Sequence, residues 1–468
     1  MRLFNTMTMK KEEFTPIEPG KVKMYSCGPT VYDLIHIGNA RPLIVFDALR
    51  RYLEYRGFVV TLVQNFTDID DKIINRANEE GLTSAEVAEK YITEYRIDAD
   101  GLGVRGATLQ PKATENVDAI IEMISILVEK GFAYLSGNDV YYRTARFSEY
   151  GKLSRQPMDE LVAGVRVDVN ETKENPVDFA LWKGAKPSEP FWDSPWGQGR
   201  PGWHIECSAM IRRHLGETID IHCGGRDLIF PHHENEIAQS EGCHGKEFVR
   251  YWLHNGFITI DNAKMAKSLG NFFTVRKAAE AYGYDNIRMF ILMSHYRSPL
   301  NFSTDTLIQS KNALDRLKTA KGSLEFIAES GSDAQLSDDE SAFLKKMPRY
   351  KERFVEALDD DFNTADGISV IFELVRESNA LAAEEGASKT FAIGALEALL
   401  ELADVLGLFY AEAGSAGIDS EIEMLITARQ NARSEKNWAE ADRIRNELAE
   451  MGIILEDTPQ GVKWRKIN

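Results

Sequence analysis

The alternation of apolar and polar positions predicts an α/β unit near the start of the chain. A short apolar run at Val22–Met24 indicates a strand that ends at Ser26, and the apolar residues of Ala40–Tyr55 recur at helical spacing. A second apolar run, Phe58–Asn65, indicates another strand, and Gly57 suits the end of the preceding helix. Two strands joined by a helix predict parallel pairing, with a ligand site at the carboxyl ends of the strands.

The same pattern resumes after an irregular stretch. Helical spacing predicts helices at Gly202–Leu215 and Pro231–Ser240, with a short strand at Thr218–His222 between them. Residues 111–200 predict one helix and one short strand, but from Tyr150 onward they are rich in Gly, Pro, Asp and Trp and show little periodicity. We therefore expect an insertion between two halves of one Rossmann-like domain.

Amphipathic helical patterns dominate the chain after that domain, which predicts a helical bundle. The expected fold class is α/β, a Rossmann-like parallel-sheet domain split by an insertion, followed by an α-helical bundle and a small C-terminal α+β domain. The expected regions are residues 1–110 and 201–260 (the two halves of the Rossmann-like domain), 111–200 (a connective insertion), 261–314 (a loop-bearing region), 315–413 (the bundle) and 419–468 (the small domain).

Length and hydropathy agree with a multidomain protein outside the membrane. At 468 residues the chain is too long for one ordinary domain. No apolar run approaches the roughly 20 residues that a membrane-spanning helix needs. Residues 1–11 lack the apolar stretch of a signal peptide, so we expect a cytoplasmic protein.

Charge and cysteine content constrain the partners less than they first suggest. The net charge of −18 disfavours a nucleic-acid partner, but residues 331–420 alone carry 19 acidic and 7 basic residues. Basic patches are therefore allowed elsewhere. Four cysteines are too few for a disulfide framework, and they indicate metal ligands, catalytic thiols or buried apolar residues.

The junction between the first predicted strand and helix is a candidate phosphate site. Gly28, Pro29 and Gly38 favour sharp turns, and His36 stands at the start of the helix. Free backbone N–H groups at such a helix start bind anions, and Gly38 lets a nucleotide approach the backbone closely. We expect ATP phosphates here, beside a metal held partly by Cys27.

A second stretch, FPHHENE, is a candidate source of metal ligands. His232 and Glu236 are four residues apart on a predicted helix and therefore point from one face. With Cys27 and Cys207 they would form a mixed zinc site. Taken alone, the pair is more typical of the polar start of an exposed helix. Further candidate ligands, which the sequence does not rank, are His222, His233, Cys223 and Cys243.

A lysine-rich loop at Asn262–Phe273 carries Lys264 and Lys267. Lysines on such a loop neutralise phosphate charge in a transition state, although a lone pair of lysines is more often a solvated surface feature. The chain contains no G-x-x-x-x-G-K-[ST] segment, so bound ATP would be held without a P-loop.

Together, these stretches resemble the class I aminoacyl-tRNA synthetases and, more narrowly, the cysteinyl-tRNA synthetases. HIGN and KMAKS resemble the HIGH and KMSKS signatures of the class. The stretches that carry the narrower resemblance span nearly the whole chain in the expected order: YSCGPTVYDLIHIGNAR, NFTDIDDKII, GWHIECSAM, DIHCGGRDLIFPHHENEIAQ, AKMAKSLGN and EDTPQGVKW.

The resemblance implies a role for each matching residue. It implies one zinc ion per chain, with the ligands Cys27, Cys207, His232 and Glu236. It implies contacts to substrate cysteine from Thr67, Trp203 and His222. It implies ATP binding, with Mg²⁺, by Gly28, Thr30, His36, Gly38, Asn39 and Lys267, and catalytic roles for His36, Asn39, Lys264 and Lys267.

The resemblance also implies the reaction and its partners. L-Cysteine and ATP would form cysteinyl-adenylate, and the cysteinyl group would then move to the 3′ end of cysteine tRNA. Zinc would select the substrate thiolate, and the enzyme would be a monomer in the cytoplasm without an editing domain. The alternatives are a cysteine–aminosugar ligase, against which the EDTPQGVKW ending speaks, and a catalytically silent zinc- and RNA-binding module, against which the intact lysines and His36 speak.

Three residues depart from the pattern that the resemblance predicts. Asn39 replaces the second histidine of HIGH, Ala266 replaces the serine of KMSKS, and Cys223 interrupts an expected run of glycines. In residues 421–468 the candidates for contact with unpaired anticodon bases are Arg429, Arg433, Arg443, Arg445 and Trp464.

Overall fold

The computed structural model describes most of the chain, in two compact units. The described residues are 1–156, 173–187, 189–261, 263–264, 273–384, 386–410, 425–429, 432–433, 437–450, 453–458 and 461–466. The first unit comprises Met1–Ile308 and Ala357–Ala365, and the second comprises Gln309–Glu356 and Asp366–Asn468.

A four-stranded parallel sheet lies at the centre of the first unit. Its strands, in spatial order, are Val249–Asn255, Ile219–Gly225, Lys21–Ser26 and Val59–Gln64. Every neighbouring pair is parallel, as the sequence predicts. The strands are mostly apolar and buried, because helices and loops cover both faces of a parallel sheet.

The strand order creates a crevice between the two central strands. From Lys21–Ser26 the chain moves outward to Val59–Gln64, whereas from Ile219–Gly225 it moves outward in the opposite direction. Loops that leave two neighbouring strands in opposite directions open a crevice at their carboxyl ends, where open α/β sheets bind ligands. The register places Tyr25 opposite His222, so the loop that begins at Cys27 lies at this crevice.

The three helices of the first unit whose bounds the sequence predicts begin and end within four residues of those bounds. Helix ends in this unit follow local signals, such as the capping box in which Thr83 and Glu86 satisfy each other's backbone N–H groups. The helices are Ile37–Tyr55, Asp71–Glu80, Ser84–Gly101, Val117–Glu129, Trp203–His214, Glu234–His244, Val275–Tyr282 and Tyr284–Leu292, with short turns at Ala113–Asn116, Thr144–Arg146, Arg226–Leu228 and Ile229–His233.

The predicted insertion contains more strand than its sequence pattern indicates. It holds an antiparallel sheet of Ala133–Ser136, Asp139–Tyr142, Phe179–Gly184 and Gly199–Pro201, of which only the second was expected. The last strand has three residues, too few to show a period of two. Apolar residues of this sheet and of the helix Val117–Glu129 share one core with Ile205 and Ala209, so the insertion supports the helix that carries Cys207.

Two smaller sheets complete the first unit. The hairpin of Arg2–Asn5 and Lys10–Glu13 is fastened to the edge strand of the central sheet, where Asn5 Oδ1 accepts the Trp252 N–H at 3.1 Å. Ile258–Ile260 pairs with Leu300–Phe302 in parallel and with Ala263–Lys264 in an antiparallel bridge.

The second unit is mainly helical, as predicted. Buried aromatic and aliphatic side chains hold its helices together, among them Phe343 and Phe391, whose ring centroids are 5.5 Å apart. The helices that lie wholly or partly in it are Thr304–Ser330, Asp338–Leu344, Met347–Asp359, Thr364–Ala382, Lys389–Val405 and Trp438–Glu450, followed by a hairpin of Ile453–Thr458 and Gly461–Lys466. Among all described helices, none is long and apolar enough to cross a membrane.

Candidate functional site

The loop after the first central strand packs directly on the end of its neighbour. Cys27 follows Ser26, and the Gly28 N–H donates to Asn65 Oδ1 at 2.9 Å. A Cβ atom at Gly28 would lie 1.6 Å from the Asn65 carbonyl oxygen, a separation that no side chain tolerates. Glycine is therefore required here because the two strand ends touch, and this contact sets the position of Cys27.

The helix Trp203–His214 brings a second thiol to the same crevice. It begins after Gly202, whose N–H donates to the Leu181 carbonyl at 2.8 Å, and a Cβ at Gly202 would lie 2.0 Å from the Ala180 carbonyl oxygen. This close approach fixes the start of the helix against the insertion. Cys207 lies about one turn further on and is buried.

The turn Ile229–His233 and the helix Glu234–His244 bring a nitrogen and an oxygen ligand. His232 and Glu236 are one turn apart, and His232 Nε2 lies 3.0 Å from Glu236 Oε1. Both side chains are buried. The predicted pair is therefore not the polar start of an exposed helix.

These ligands and the two thiols form one compact cluster. Cys27 Sγ lies 3.8 Å from Cys207 Sγ and 3.5 Å from Glu236 Oε1. All four ligand atoms lie within 4.8 Å of one another. Ligands bound tetrahedrally to zinc at about 2.0–2.3 Å would be roughly 3.3–3.8 Å apart, so this set of two sulfurs, one nitrogen and one oxygen fits such an ion.

A second group of candidate ligands overlaps the first. It shares Cys27 and Glu236 and adds His222 and His233. His222 Nε2 lies 2.9 Å from Glu236 Oε2, the carboxylate oxygen that does not contact His232. His233 Nε2 lies 3.4 Å from Cys27 Sγ. A partner on the far oxygen of a ligating carboxylate orients that ligand toward the metal, and His222 has this position on Glu236.

The other two cysteines lie apart from both groups. Cys223 Sγ is 3.3 Å from the Tyr25 carbonyl oxygen, to which it donates, and Cys243 is buried in the apolar core shared with the insertion. Neither belongs to a group of metal-type ligands among the described residues. The thiol of Cys223 is therefore occupied by the backbone of the neighbouring strand.

The electrostatics of the cluster favour the ionised forms of two ligands. The pKa of Cys207 falls to about 6, chiefly because the Cys27 thiol donates to it. Burial opposes ionisation of Glu236, but His222 and His232 outweigh it and lower that pKa to about 2. Burial and the neighbouring Cys207 raise the pKa of Cys27. Metal ligands bind in their deprotonated forms, so a cation would replace the shared protons.

The residues predicted to contact the amino-acid substrate lie beside this cluster. Trp203 is 38% exposed and stacks on the His232 ring, with centroids 4.4 Å apart. Thr67 follows the strand Val59–Gln64, and its Oγ1 donates to Glu206 Oε2 at 2.8 Å. His222 is fully buried and stacks on Trp252 with centroids 4.7 Å apart, so its ring holds Glu236 from within the core.

The predicted phosphate site lies at the start of the helix Ile37–Tyr55. His36 precedes the first turn, and its backbone N–H donates to Asn39 Oδ1 at 3.1 Å. The Asn39 side chain thus caps the start of the helix, and Gly38 lies in the first turn. Thr30 lies where the loop forms a parallel bridge with Thr67. The Asn39 and Ala40 N–H groups donate to the His36 carbonyl at 2.8 and 3.3 Å, so phosphate binding at this helix start stays a prediction.

The end of the lysine-rich loop is fastened to this helix start. The Ile37 N–H donates to the Phe273 carbonyl at 3.1 Å, and the Val275 N–H donates to the Ile35 carbonyl at 2.9 Å. Lys264 lies in the short strand paired with Ile258–Ile260. Its side chain and all of Lys267 lie outside the described residues, so their contacts with ATP stay predictions.

Arg41, inside the same signature stretch, has a structural role that the sequence did not reveal. Its guanidinium is fully buried and donates to four backbone carbonyls, at Gly256, Phe257, His295 and Ser298. Burial lowers its pKa to about 10. The arginine therefore joins the signature helix to the segment that leads into the lysine-rich loop. An arginine on a predicted helix is ordinarily placed on its exposed face, and no sequence signal corrects that.

Among the anticodon candidates, Arg433, Arg443 and Arg445 are exposed, and their contact with tRNA stays a prediction. Arg429 is buried, and Arg443 is held by Glu440 and Glu447 at 2.7 and 2.9 Å. The side chain of Trp464 lies outside the described residues. Another tryptophan, Trp438, is 58% exposed at the start of the helix Trp438–Glu450, and it was not among the candidates predicted from the sequence.

Three family models match the chain, and together they cover most of it. The model for the class I (C) tRNA synthetase catalytic domain matches residues 13–312. A DALR domain matches residues 353–410, and the cysteinyl-tRNA ligase anticodon binding domain matches residues 415–465.

A curated relative and solved structures agree with these matches. The cysteine–tRNA ligase of Symbiobacterium thermophilum is 56% identical over 469 residues, covering 100% of this chain and 99% of that protein. The methionyl-tRNA synthetase of Mycobacterium tuberculosis in complex with methionyl-adenylate has a TM-score of 0.61 at 16% identity, over 82% of this chain and 90% of that one. The Agrobacterium radiobacter K84 agnB2 LeuRS in its ternary complex has a TM-score of 0.61 at 12% identity, over 84% and 85%. The two structures show a shared fold alone.

Proposed function

The chain belongs to the family of cysteine–tRNA ligases with a class I tRNA synthetase catalytic domain, and we propose that it activates L-cysteine with ATP and transfers it to the 3′ end of cysteine tRNA. The observation that carries the proposal is the cluster of Cys27, which is partly exposed, with the buried Cys207, His232 and Glu236 at the carboxyl ends of the parallel strands. Such a cluster can bind a metal that selects a thiol substrate, and the helix start beside it is the predicted site for the phosphates of a nucleotide.

We assign one zinc ion per chain to this cluster. Two thiolates, an imidazole and a carboxylate suit zinc better than magnesium or calcium, which prefer oxygen ligands alone. When bound, zinc supplies a Lewis acid that takes a substrate thiolate far more readily than a hydroxyl. Shape alone would separate cysteine from serine only about 10–200-fold, because the two differ by one atom.

The helix start at His36 would bind ATP, which carries Mg²⁺. The backbone of Gly28, Thr30 and Gly38 lines this loop and helix start, and His36 and Asn39 would face the phosphates. Lys264 and Lys267 would neutralise the charge that develops on them. Positioning and charge neutralisation suffice for phosphoryl chemistry of this kind, so a dedicated general base is not required.

The substrate residues would present the amino acid to ATP. Thr67, Trp203 and His222 would hold cysteine so that its carboxylate attacks the α-phosphate and pyrophosphate leaves. The cysteinyl group would then pass from AMP to the 3′-terminal ribose of the tRNA. Holding both reactants in one crevice supplies much of the acceleration, because a bimolecular step becomes effectively unimolecular.

The partners follow from the same family. The match to an anticodon binding domain over residues 415–465 supports tRNA as the acceptor and disfavours an aminosugar, whose ligase needs no such domain. We further propose a monomer that works in the cytoplasm.

A substitution in the cluster tests the zinc assignment. Replacing Cys207 by Ser should remove zinc and abolish cysteine-dependent ATP–pyrophosphate exchange, while Cys243→Ala, a change at a buried cysteine outside the cluster, should keep both. Zinc would be measured by elemental analysis and exchange with labelled pyrophosphate. Normal exchange in a zinc-free Cys207→Ser protein would refute the assignment.

The acceptor is tested on the unmodified protein. After exchange with cysteine and with serine, transfer to cysteine tRNA and to an aminosugar would be compared. Exchange with cysteine followed by charging of tRNA alone supports the proposal. Transfer to the aminosugar would replace it with the alternative ligase, and absence of exchange would refute both.

A further inference from the structure

A short acidic turn, Asp359–Phe362, makes contacts that the proposed reaction has not yet used. It lies in the segment Ala357–Ala365, which belongs to the first unit although the chain on both sides of it belongs to the second. Asp361 and Phe362 have φ angles of +65° and +50°. Positive φ is rare for residues other than glycine and is strained for a bulky one such as Phe362, so two in succession persist only where the surroundings hold them. The turn is therefore a tightly held part of the first unit.

Asp361 is fully buried, and its carboxylate has partners from two distant segments of the chain. Its Oδ1 accepts from the Phe4 N–H at 2.8 Å and from the Tyr296 hydroxyl at 3.0 Å. Its Oδ2 accepts from Arg297 Nε at 2.7 Å and from a second nitrogen of the same guanidinium. Burial opposes ionisation, but His295 and the groups just named lower the pKa of Asp361, so the carboxylate is ionised at neutral pH.

The loop His295–Ser298 connects this acid to the helix Ile37–Tyr55, here called the signature helix. Two side chains of the loop bond to Asp361, whereas its first and last carbonyls accept from Arg41 at 3.3 and 2.6 Å. The N–H of its last residue donates to the carbonyl of its first at 3.0 Å, so the loop is a closed turn. Arg41 lies two residues after Asn39 of the predicted phosphate site. Its buried guanidinium would therefore pass a displacement of the loop to the start of the signature helix.

The acidic turn also holds the other end of the signature helix. Asp359 Oδ1 accepts from the Tyr52 hydroxyl at 2.6 Å and from the Arg56 guanidinium. The ring of Phe362 packs on that of Tyr52, with centroids 6.1 Å apart. Arg41 and Tyr52 are separated by about 16 Å along the helix, at 1.5 Å per residue. Contacts at two points this far apart fix the direction of the helix as well as its position.

We propose that the acidic turn Asp359–Phe362 sets the position of the signature helix so that its start can bind ATP, with Asp361 as the positioning residue. This role rests on the proposed function, which assigns ATP to that helix start. Asp361 would act through the loop His295–Ser298 and Arg41, without touching the nucleotide. The thiol cluster is fixed by other contacts, those of Gly28 and Gly202 described above, so Asp361 should affect ATP and leave zinc and cysteine unchanged.

Asp361→Asn tests this selectivity. Asparagine tolerates the positive φ, and its side-chain oxygen can still accept from Phe4 and Tyr296. Its NH2 group would meet the guanidinium of Arg297, donor against donor, so the bond to the loop is lost. The KM for ATP in pyrophosphate exchange should rise about 2–30-fold, the range for residues that act on a site through others, whereas the KM for cysteine and the zinc content should not change.

Binding of the nucleotide is measured apart from catalysis. A non-hydrolysable ATP analogue with Mg²⁺ would be titrated by calorimetry into the zinc-loaded protein. In Asp361→Asn its Kd should rise by the same factor as the KM for ATP. A lower free energy of unfolding alone would change neither this Kd nor the ratio of the two KM values, so both readouts separate positioning from support of the fold.

Three further variants keep the test decisive. Arg297→Gln removes the bond from the side of the loop, and it should weaken the analogue equally even if Asp361→Asn does not fold. The double variant should lose no more affinity than either single variant, because both remove the same bond. Asp360→Asn is the matched control, since it changes the same charge on an adjacent, half-exposed residue that pairs with Arg2 and Lys11 at 3.1 and 2.9 Å. It should change neither KM nor Kd.

The outcomes distinguish this inference from the proposed function. An Asp361→Asn protein that is less stable but keeps the wild-type affinity for the analogue would show that Asp361 only supports the fold, and it would overturn the inference. Equal loss for ATP and cysteine, or loss of zinc, would do the same. Selective loss of the analogue sustains the inference even if the wild type fails to exchange pyrophosphate with cysteine, a failure that would instead refute the function. A wild type that binds no analogue would contradict both.

Discussion

Replacing Gly28 by Ala should empty the metal cluster without any change to a ligand. The added Cβ would start 1.6 Å from the Asn65 carbonyl oxygen and 2.7 Å from its carbon, both backbone atoms that no rotamer change can move. Restoring an ordinary contact requires a separation of roughly 1.5 Å more, while metal coordination tolerates displacements of only about 0.2 Å.

The displacement would act on Cys27, the residue next to Gly28. It would also break the Gly28 N–H bond to Asn65 Oδ1. We expect zinc affinity to fall about 10–100-fold or more, the range typical when the surroundings of metal ligands are disturbed. The free energy of unfolding should fall by about 1–3 kcal/mol from overpacking, which a folded protein of this size withstands.

The assay combines zinc content, cysteine-dependent pyrophosphate exchange and urea unfolding. Gly106→Ala is the control, because a Cβ at Gly106 meets nothing within 4 Å. That variant should match the wild type in all three measurements. A Gly28→Ala protein that holds one zinc per chain and exchanges within about twofold of the wild type would refute the packing argument.

Three further predictions concern other parts of the chain. Arg41→Met should lower the free energy of unfolding in urea by about 3 kcal/mol, because four carbonyls lose their donor. Arg41→Lys should recover little of this loss, since one ammonium group cannot reach all four carbonyls. A loss below about 1 kcal/mol in Arg41→Met would contradict this structural role. Burial opposes ionisation of Asp361, but His295, the Phe4 amide and Arg297 lower its pKa below the ordinary 3.8. The ionised carboxylate should therefore stabilise the folded protein fully above pH 3.8, and this stabilisation should be lost as the pH falls further. Asp361→Asn should flatten the pH dependence of the free energy of unfolding in that range, and an unchanged profile would count against this role of Asp361. Removing the residues after 418 should abolish tRNA charging and leave pyrophosphate exchange largely intact, and equal loss of both would contradict a purely tRNA-binding role.

Several features of this protein were open to prediction because they are local. The strand, the turn residues and the helix start from Lys21 to Tyr55 follow from apolar spacing and from the residues at their ends. The spacing of His232 and Glu236 places both on one helical face wherever that helix lies. The family resemblance then indicated which distant cysteines to group with them.

Other features depend on contacts between distant segments, and local spacing does not encode them. The strands of the insertion are short and irregular, so only pairing with one another reveals them as a sheet. Arg41 looks like a surface residue until four carbonyls from two other segments surround it. The assignment of His222 to substrate was incomplete for the same reason, since its contact with Glu236 becomes visible only across the crevice.

Local periodicity and motifs are sufficient to establish the type of fold, the family and the residue types that can hold a metal. The tertiary structure decided which of these residues meet. It brought Cys27 to Cys207 across a sequence separation of 180 positions, turned Cys223 onto a backbone carbonyl, and placed Glu206 behind Thr67. The physical reason is that a parallel sheet aligns the carboxyl ends of strands far apart in sequence, so the chemistry of the crevice is set by strand order and register.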